Sequence, residues 1–342
     1  MHFIRISLAL LSIVRAATAL YRPGFDDYYS DYRGKEPPCP GNERDPIMPT
    51  GSGAPGPDDN LFQNLLSAEW AIFSFYQKAV EMFDESSFIA HGLPATTYDR
   101  IQEIRDNEAG HLVLFRDNIS GNSIKPGPCD YRFGFTDVKS FITIMTLLEI
   151  ASMTFLTALV QHASTNATRG ALVAIAATES RHETWALMDL WGVNPLGGPA
   201  DTAFPYAHQI LYTTTQFIVP GSCPAANPPY PHPVQEIAQF TYDAKTDSPL
   251  TSGSDIRFLF TTPPPAWEDG KDYHAVFFHG LSRVSVPFDT HTNSTRIPDF
   301  DLNKGLIICV IADTPDAPHK ESVVAGPVLL VQQPAGALKL HG

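Results

Sequence analysis

Two tetrapeptides of this 342-residue chain share one pattern, "EAGH" at 108–111 and "ESRH" at 179–182. On a helix, residues three positions apart lie one turn from each other on the same face, so each pair can present a carboxylate and an imidazole to one point. Two single glutamates stand in apolar mid-helix settings: Glu69 beside Leu65, Leu66 and Phe73, and Glu149 between Met145 and Met153. The order along the chain is Glu69, then Glu108 with His111, then Glu149, then Glu179 with His182. Four helices carrying these groups inward would gather four carboxylates and two imidazoles around one volume, the arrangement by which helical bundles hold two metal ions.

Electrostatics names the occupant. Two carboxylates about 4 Å apart repel by roughly 4 kcal/mol at an effective dielectric constant near 20, and four in one core multiply the conflict. Protons relieve it at some cost. Two divalent cations balance four glutamates, with neutral histidines completing the shell. Oxygen-rich ligation with two imidazoles and no thiolate suits iron or manganese, with zinc a competitor. Tyr76 lies two turns after Glu69 and could approach the metals as a hydrogen-bond or electron donor; it reads equally well as a core aromatic with its hydroxyl satisfied. Glu103 and Glu183 are left out, each being off the shared face or next to a better-placed ligand. His274 and His279, five apart on an expected strand, point to opposite faces and make no second site.

The elements that must position these groups are legible from hydrophobic spacing. A first helix starts at the acidic pair Asp58 and Asp59 and keeps apolar residues at helical spacing through Leu61, Leu65, Leu66, Ile72, Phe73, Tyr76 and Val80. A second begins near Pro94 and runs to Ile119, a third opens at Thr136 and continues to Ala163, and a fourth stops at Gly192 and Pro195. Four long helices in succession predict an up-and-down or crossover bundle, with a fifth helix near "AFPYAHQILYTTTQFIV" packed against it. The stretch "FITIMTLLEIASMTFLTALV" is apolar enough to span a membrane, but Glu149 at its centre would cost about 2.5 to 3.5 kcal/mol there, and a buried bundle helix needs the same composition.

Past a Pro-rich linker at 221–235 the period shortens. "EIAQFTYDA", "DIRFLFTT", "YHAVFFHG", "SRVSVPF", "GLIICVIA" and "SVVAGPVLLVQQ" are short, rich in β-branched and aromatic residues, and separated by turn formers. They predict a small antiparallel β-sandwich of immunoglobulin or fibronectin type over 236–334. The expected fold is therefore mainly α: a Pro/Gly-rich leader at 20–57, a helical bundle at 58–220, the linker and the sandwich.

Before the leader, Arg5, the apolar run from Ile6 to Val14, and Ala17 and Ala19 read as a secretory signal peptide over 1–19. The sequons at Asn118, Asn166 and Asn293 fit an exported glycoprotein. Cys39, Cys129, Cys223 and Cys309 allow three pairings, and the apolar setting of Cys309 suits a buried thiol. A formal net charge of −14 and the lack of a basic stripe exclude a nucleic-acid backbone as partner.

Residues 58–220, through Glu69, "EAGH", Glu149 and "ESRH", resemble the ferritin-like superfamily. The secreted setting and β-rich tail resemble its fungal stress-response and sexual-development branch, related to plant desiccation proteins. The resemblance implies a di-iron or di-manganese carboxylate site and leaves the reaction open, since the superfamily includes iron-oxidising cages, oxidases and manganese catalases. Two readings follow. In one, a secreted redox enzyme acts on peroxide or dioxygen in stress response. In the other, a non-catalytic structural or protective protein holds metal, or keeps a relic site, while the β domain contacts cell wall or other proteins. Iron storage in a closed cage is a distant third.

Overall fold

The computed structural model describes residues 32, 34–38, 45–192, 194–196, 204–233, 237–242, 252–298 and 305–332. The expected signal peptide, much of the leader and Cys39 lie outside them. Four long helices form the first half: α1 (Asp59–Met82), α3 (Thr97–Asn118), α4 (Val138–Leu159) and α5 (Asn166–Trp185), with a one-turn α2 (Glu85–Ile89) that the sequence reading did not anticipate. A single π turn, Ala186–Leu190, extends α5, and α6 (Ala207–Thr215) follows.

The helices are arranged as two hairpins, α1 with α3 and α4 with α5. A clasp of two adjacent aspartates joins them at one end. Asp58 accepts from the backbone N–H of Ser164 (2.7 Å) and Thr165 (3.3 Å) and from the Thr168 hydroxyl (2.5 Å), while Asp59 accepts from Ser120 N–H (2.9 Å) and hydroxyl (2.5 Å). The start of α1 thus lies beside the end of α3, the end of α4 and the start of α5. At the opposite end Phe141, in the first turn of α4, stacks on Phe75 at 5.0 Å and meets Phe83 and Phe88. α3 and α4 therefore run in the same direction, and residues 119–137 travel the length of the bundle as the crossover. That segment is pinned by paired backbone bonds of Ile47 with Lys125 (3.0 Å each way), by Arg132 N–H to Phe217 O (2.7 Å), and by a disulfide joining Cys129 to Cys223. Cys309 is a buried free thiol.

α4 with its 3-10 extension, Val138–His162, is long and apolar enough to cross a membrane by composition, yet 72% of its apolar 18-residue window is buried inside the protein. Its apolar surface is spent on the bundle core.

The second half departs from expectation. It is not a two-sheet sandwich, so the fold is mixed α/β rather than mainly α. Strands β1 (Phe240–Tyr242), β2 (Asp255–Phe260), β3 (Tyr273–His279), β4 (Ser282–Asp289), β5 (Ser294–Arg296), β6 (Gly305–Ala312) and β7 (Val323–Gln332) form one antiparallel sheet in the order β1-β2-β5-β4-β3-β6-β7. The ends of that sheet meet through a parallel bridge of Ala238 with Ala325, and Gly326 N–H reaches Ala238 O at 2.8 Å. The sheet closes into a nearly complete barrel. Gly326 permits this: its φ of +106° lies where side chains are strained, and a Cβ would sit 3.2 Å from Cys309 O beside a bulge of β6. Short strands between turn formers fit sandwich and barrel alike. β5, three residues inside a turn-rich stretch, gave no period at all.

What alternation misses is that β3 and β6 are buried on both faces. Phe277, Cys309 and Ile311 point into the barrel core with Phe258 and Phe288. Val276, Phe278, Ile308 and Val310 face outward and join Phe204, Ala207, Ile210 and Leu211 in one apolar core continuous with the helices. Hydrogen bonds from Tyr206 to Ala317 O and from Gln209 to Lys320 O (3.2 Å) tie α6 to the barrel rim.

The aspartate clasp carries a measurable load. Hydrogen bonds to a charged group contribute about 1.5–3 kcal/mol each, and loss of a buried acceptor strands its donors. Asp58→Ala should lower the unfolding free energy by about 2–3 kcal/mol in urea denaturation, and a loss below about 0.5 kcal/mol would show that the clasp does not hold the hairpins together.

Candidate metal centre

Each long helix contributes to one buried cluster. α1 supplies Glu69 and, two turns on, Tyr76; α3 supplies Glu108 and His111; α4 supplies Glu149; α5 supplies Glu179 and His182. All are buried, none of the six acidic and histidine residues being more than 7% exposed as a whole. The burial has a local cause. Each residue falls on the inward stripe of its helix, flanked by core residues such as Leu65, Leu112, Met145 and Ile175.

The geometry is centred on two nitrogens. Nδ1 of His111 lies 2.8 Å from Glu108 Oε2, 3.3 Å from Glu179 Oε1 and 3.5 Å from Glu69 Oε1. Nδ1 of His182 lies 3.2 Å from Glu108 Oε1, 3.2 Å from Glu149 Oε2 and 3.4 Å from Glu179 Oε2. Glu108 and Glu179 therefore turn one oxygen to each imidazole, and Glu69 and Glu149 each serve one. Two overlapping groups result, Glu69–Glu108–His111–Glu179 and Glu108–Glu149–Glu179–His182, with ligand atoms within 4.8 Å of one another in each. All six side chains singled out in the sequence converge; Glu103 and Glu183 belong to neither group.

A proton on Nδ1 can satisfy one oxygen well, and three converge on each nitrogen. The consequence is visible: Glu69 Oε1, Glu108 Oε1 and Glu179 Oε2 are buried without a hydrogen-bond partner. Orphaned acceptors of this kind cost about 1–3 kcal/mol apiece, more when charged. A divalent cation in each group would satisfy the nitrogen and all three oxygens together, so the donor set fits a pair of such ions.

Ionisation tells the same story. Burial pushes the carboxyls of Glu69 and Glu149 well above their ordinary value, the Glu108 charge adding to the rise at Glu69 and the contact with His182 opposing it at Glu149. Burial also acts to raise Glu108 and Glu179, but His111 and His182 outweigh it and hold both low. Burial alone would lower the imidazoles; the Glu108 charge at His111 and the Glu149 charge at His182 lift them well above the usual histidine value. Without metal the cluster thus balances its carboxylates with protons shared among Glu69, Glu149 and the two imidazoles. With two dications, four carboxylates and neutral imidazoles, it balances again.

Tyr76 is fully buried and its hydroxyl donates to Glu149 Oε1. Burial and the Glu149 charge hold the phenol protonated, its pKa far above the ordinary value. The sequence left this residue between a hydrogen-bonding neighbour of the metals and a core aromatic, and a buried hydroxyl satisfied by one of the six is compatible with both. Sequence reasoning missed Asn107, whose Oδ1 lies 3.4 Å from His182 Nε2 while its Nδ2 donates to Glu103 O at 3.0 Å. Asn107 is on α3 and His182 on α5, so no spacing within one helix could have announced the contact.

Compared with known families, residues 57–188 match the model of a ferritin-like domain. That match covers the four long helices and the whole cluster. A comparison with curated proteins gave no match.

Loading the centre must displace protons from Glu69, Glu149, His111 and His182, so affinity for a divalent ion should fall as pH falls, and calorimetry in buffers of different ionisation enthalpy should show proton release approaching four per pair of ions. The same four groups bind protons more tightly folded than unfolded, so their stabilisation is lost as pH rises through their folded values; Glu108 and Glu179 lose theirs only on acidification. Chelator-stripped protein should therefore melt at progressively lower temperature as pH rises above the ordinary glutamate and then histidine values, with metal-loaded protein changing less. A flat profile for the stripped protein would contradict this charge balance.

Proposed function

We propose that the chain is a secreted di-metal carboxylate protein of ferritin-like type, loaded with iron or manganese and acting on peroxide or dioxygen. The observation that carries the reading is the pair of imidazole nitrogens, each faced by three carboxylate oxygens, three of those six oxygens being otherwise unpartnered. Hard oxygen donors with two imidazoles favour iron or manganese over soft-metal ions, with zinc the competitor.

A bound pair of redox-active ions would supply or accept the two electrons that separate peroxide from water or from dioxygen. The remaining roles belong to the chain. Glu108 and Glu179, each facing both imidazoles, would hold ions at both positions. Tyr76 holds one oxygen of Glu149 and leaves the other free to face His182. Phe75, Phe133, Phe135 and Phe141, in ring contact with one another beside Tyr76, keep water from that side. A dry surround strengthens every electrostatic contact within it.

Secretion is supported by the apolar run Ile6 to Val14, by the sequons and by the Cys129–Cys223 disulfide, which suits an oxidising compartment. The likeness to secreted fungal stress-response proteins points to disposal of an oxidant as the role. Contact with cell wall or other proteins would fall to the barrel. A second reading, metal held for stability alone, is favoured by the near-complete burial of all six side chains, which leaves a substrate little room.

One set of measurements separates the two. Native protein should contain about two iron or manganese ions per chain and evolve oxygen from peroxide or consume dioxygen. Glu108→Ala with Glu179→Ala should abolish both metal retention and turnover. It should also forfeit the stabilisation that a ligand at 100 times its Kd confers, about 2.7 kcal/mol. Loaded protein that is inert to both oxidants, yet melts lower once stripped, would leave the stability reading; parent and variant equal in metal and melting would end both.

A further inference from the structure

The two halves of the centre are built alike in ligands and differently in support. On the Glu149–His182 side, Tyr76 holds Glu149 Oε1, so Oε2 is turned to His182 Nδ1. His182 is held in turn from behind. Asn107 Nδ2 donates to the Glu103 carbonyl, which can only accept, so Asn107 Oδ1 is the atom that faces His182 Nε2. An oxygen there keeps a proton on Nε2 and leaves Nδ1 as the nitrogen that gives its lone pair to the carboxylate-lined volume.

The Glu69–His111 side has no such support. Glu69 Oε1 faces His111, and among the described residues no donor holds the other oxygen of Glu69 as Tyr76 holds Glu149 Oε1. The Tyr230 hydroxyl, near enough to feel the Glu69 charge, is engaged with Thr214 (2.6 Å). His111 Nε2 meets no hydrogen-bond partner among the described residues, its ring lying beside Phe115. The pair is also the more open, with side chains 5% and 9% exposed against 1% and 7% for Glu149 and His182.

We propose that the centre fills in order, the Glu149–His182 position first, and that Asn107 is the positioning residue that sets the order by fixing His182. The Glu69–His111 position is the weaker one, and it is where an ion would exchange. This rests on the di-metal reading above. Hydrogen-bonded support behind a metal-ligating histidine typically changes metal affinity 10–100-fold, enough to separate two binding steps.

The experiment is a titration of stripped, full-length protein with Mn2+ alone, followed by calorimetry and by the electron paramagnetic resonance of bound manganese. Expected are two steps about tenfold or more apart. The six-line signal of an isolated bound ion should grow to one equivalent and then broaden or fall as the second ion couples to the first. Glu69→Ala should remove only the weaker step and Glu149→Ala the tighter one. Asn107→Ala should weaken the tighter step about tenfold and leave the weaker one unchanged, while Asn107→Asp, which keeps an acceptor toward Nε2, restores it; a merely structural role would not be rescued this way. Circular dichroism of each variant identifies any that fails to fold, and the parent titration stands without them. Two equal or cooperative steps, or an Asn107→Ala effect on the weaker step, would overturn the order while leaving a di-metal centre. No manganese bound by the parent protein would overturn the di-metal reading and the order with it.

Discussion

Four glutamates cannot share a dry volume as bare anions, and this constraint organises the helical half of the protein. The apolar walls that make the bundle stable raise the cost of each charge within it. The answer seen here is to seat two imidazoles among the four carboxylates, so that protons or metal ions can neutralise the set in either state. Satisfying both states demands fixed positions. Long helices supply them, because the inward stripe of each is committed to packing and cannot rotate without exposing Leu, Ile and Phe to water.

The parts of this centre legible from sequence were those whose geometry is local. Glu108 with His111 and Glu179 with His182 share a turn of one helix, so spacing alone places them together. Glu69 and Glu149 stood out because a carboxylate in an apolar stripe needs a reason. The sharing of Glu108 and Glu179 between both imidazoles, the Tyr76 contact with Glu149 and the Asn107 contact with His182 depend on which helices neighbour which, and that was open between two topologies. The aspartate clasp and the pinned crossover decide it.

The same distinction explains the β half. Phe277, Cys309 and Ile311 alternate with Val276, Ile308 and Val310 on a strand pair that is buried front and back, so apolar runs marked strands without telling one sheet from two. Closure depends on Gly326 meeting Ala238, residues almost ninety positions apart. The outer face of β3 and β6 is not a free surface but the far wall of the helical core, so the two halves share apolar contacts rather than a tether.

The paired aspartates at the start of α1 act as the zero mark of a ruler. Asp58 and Asp59 are neighbours whose side chains leave the helix start in different directions, one to each hairpin. Glu69 stands roughly 15 Å further along at 1.5 Å per residue. An added or deleted residue between mark and ligand would swing Glu69 about 100° off the shared volume, while the clasp kept the helix start where it was. Substitutions along this stretch can be absorbed by repacking; a change in its length cannot.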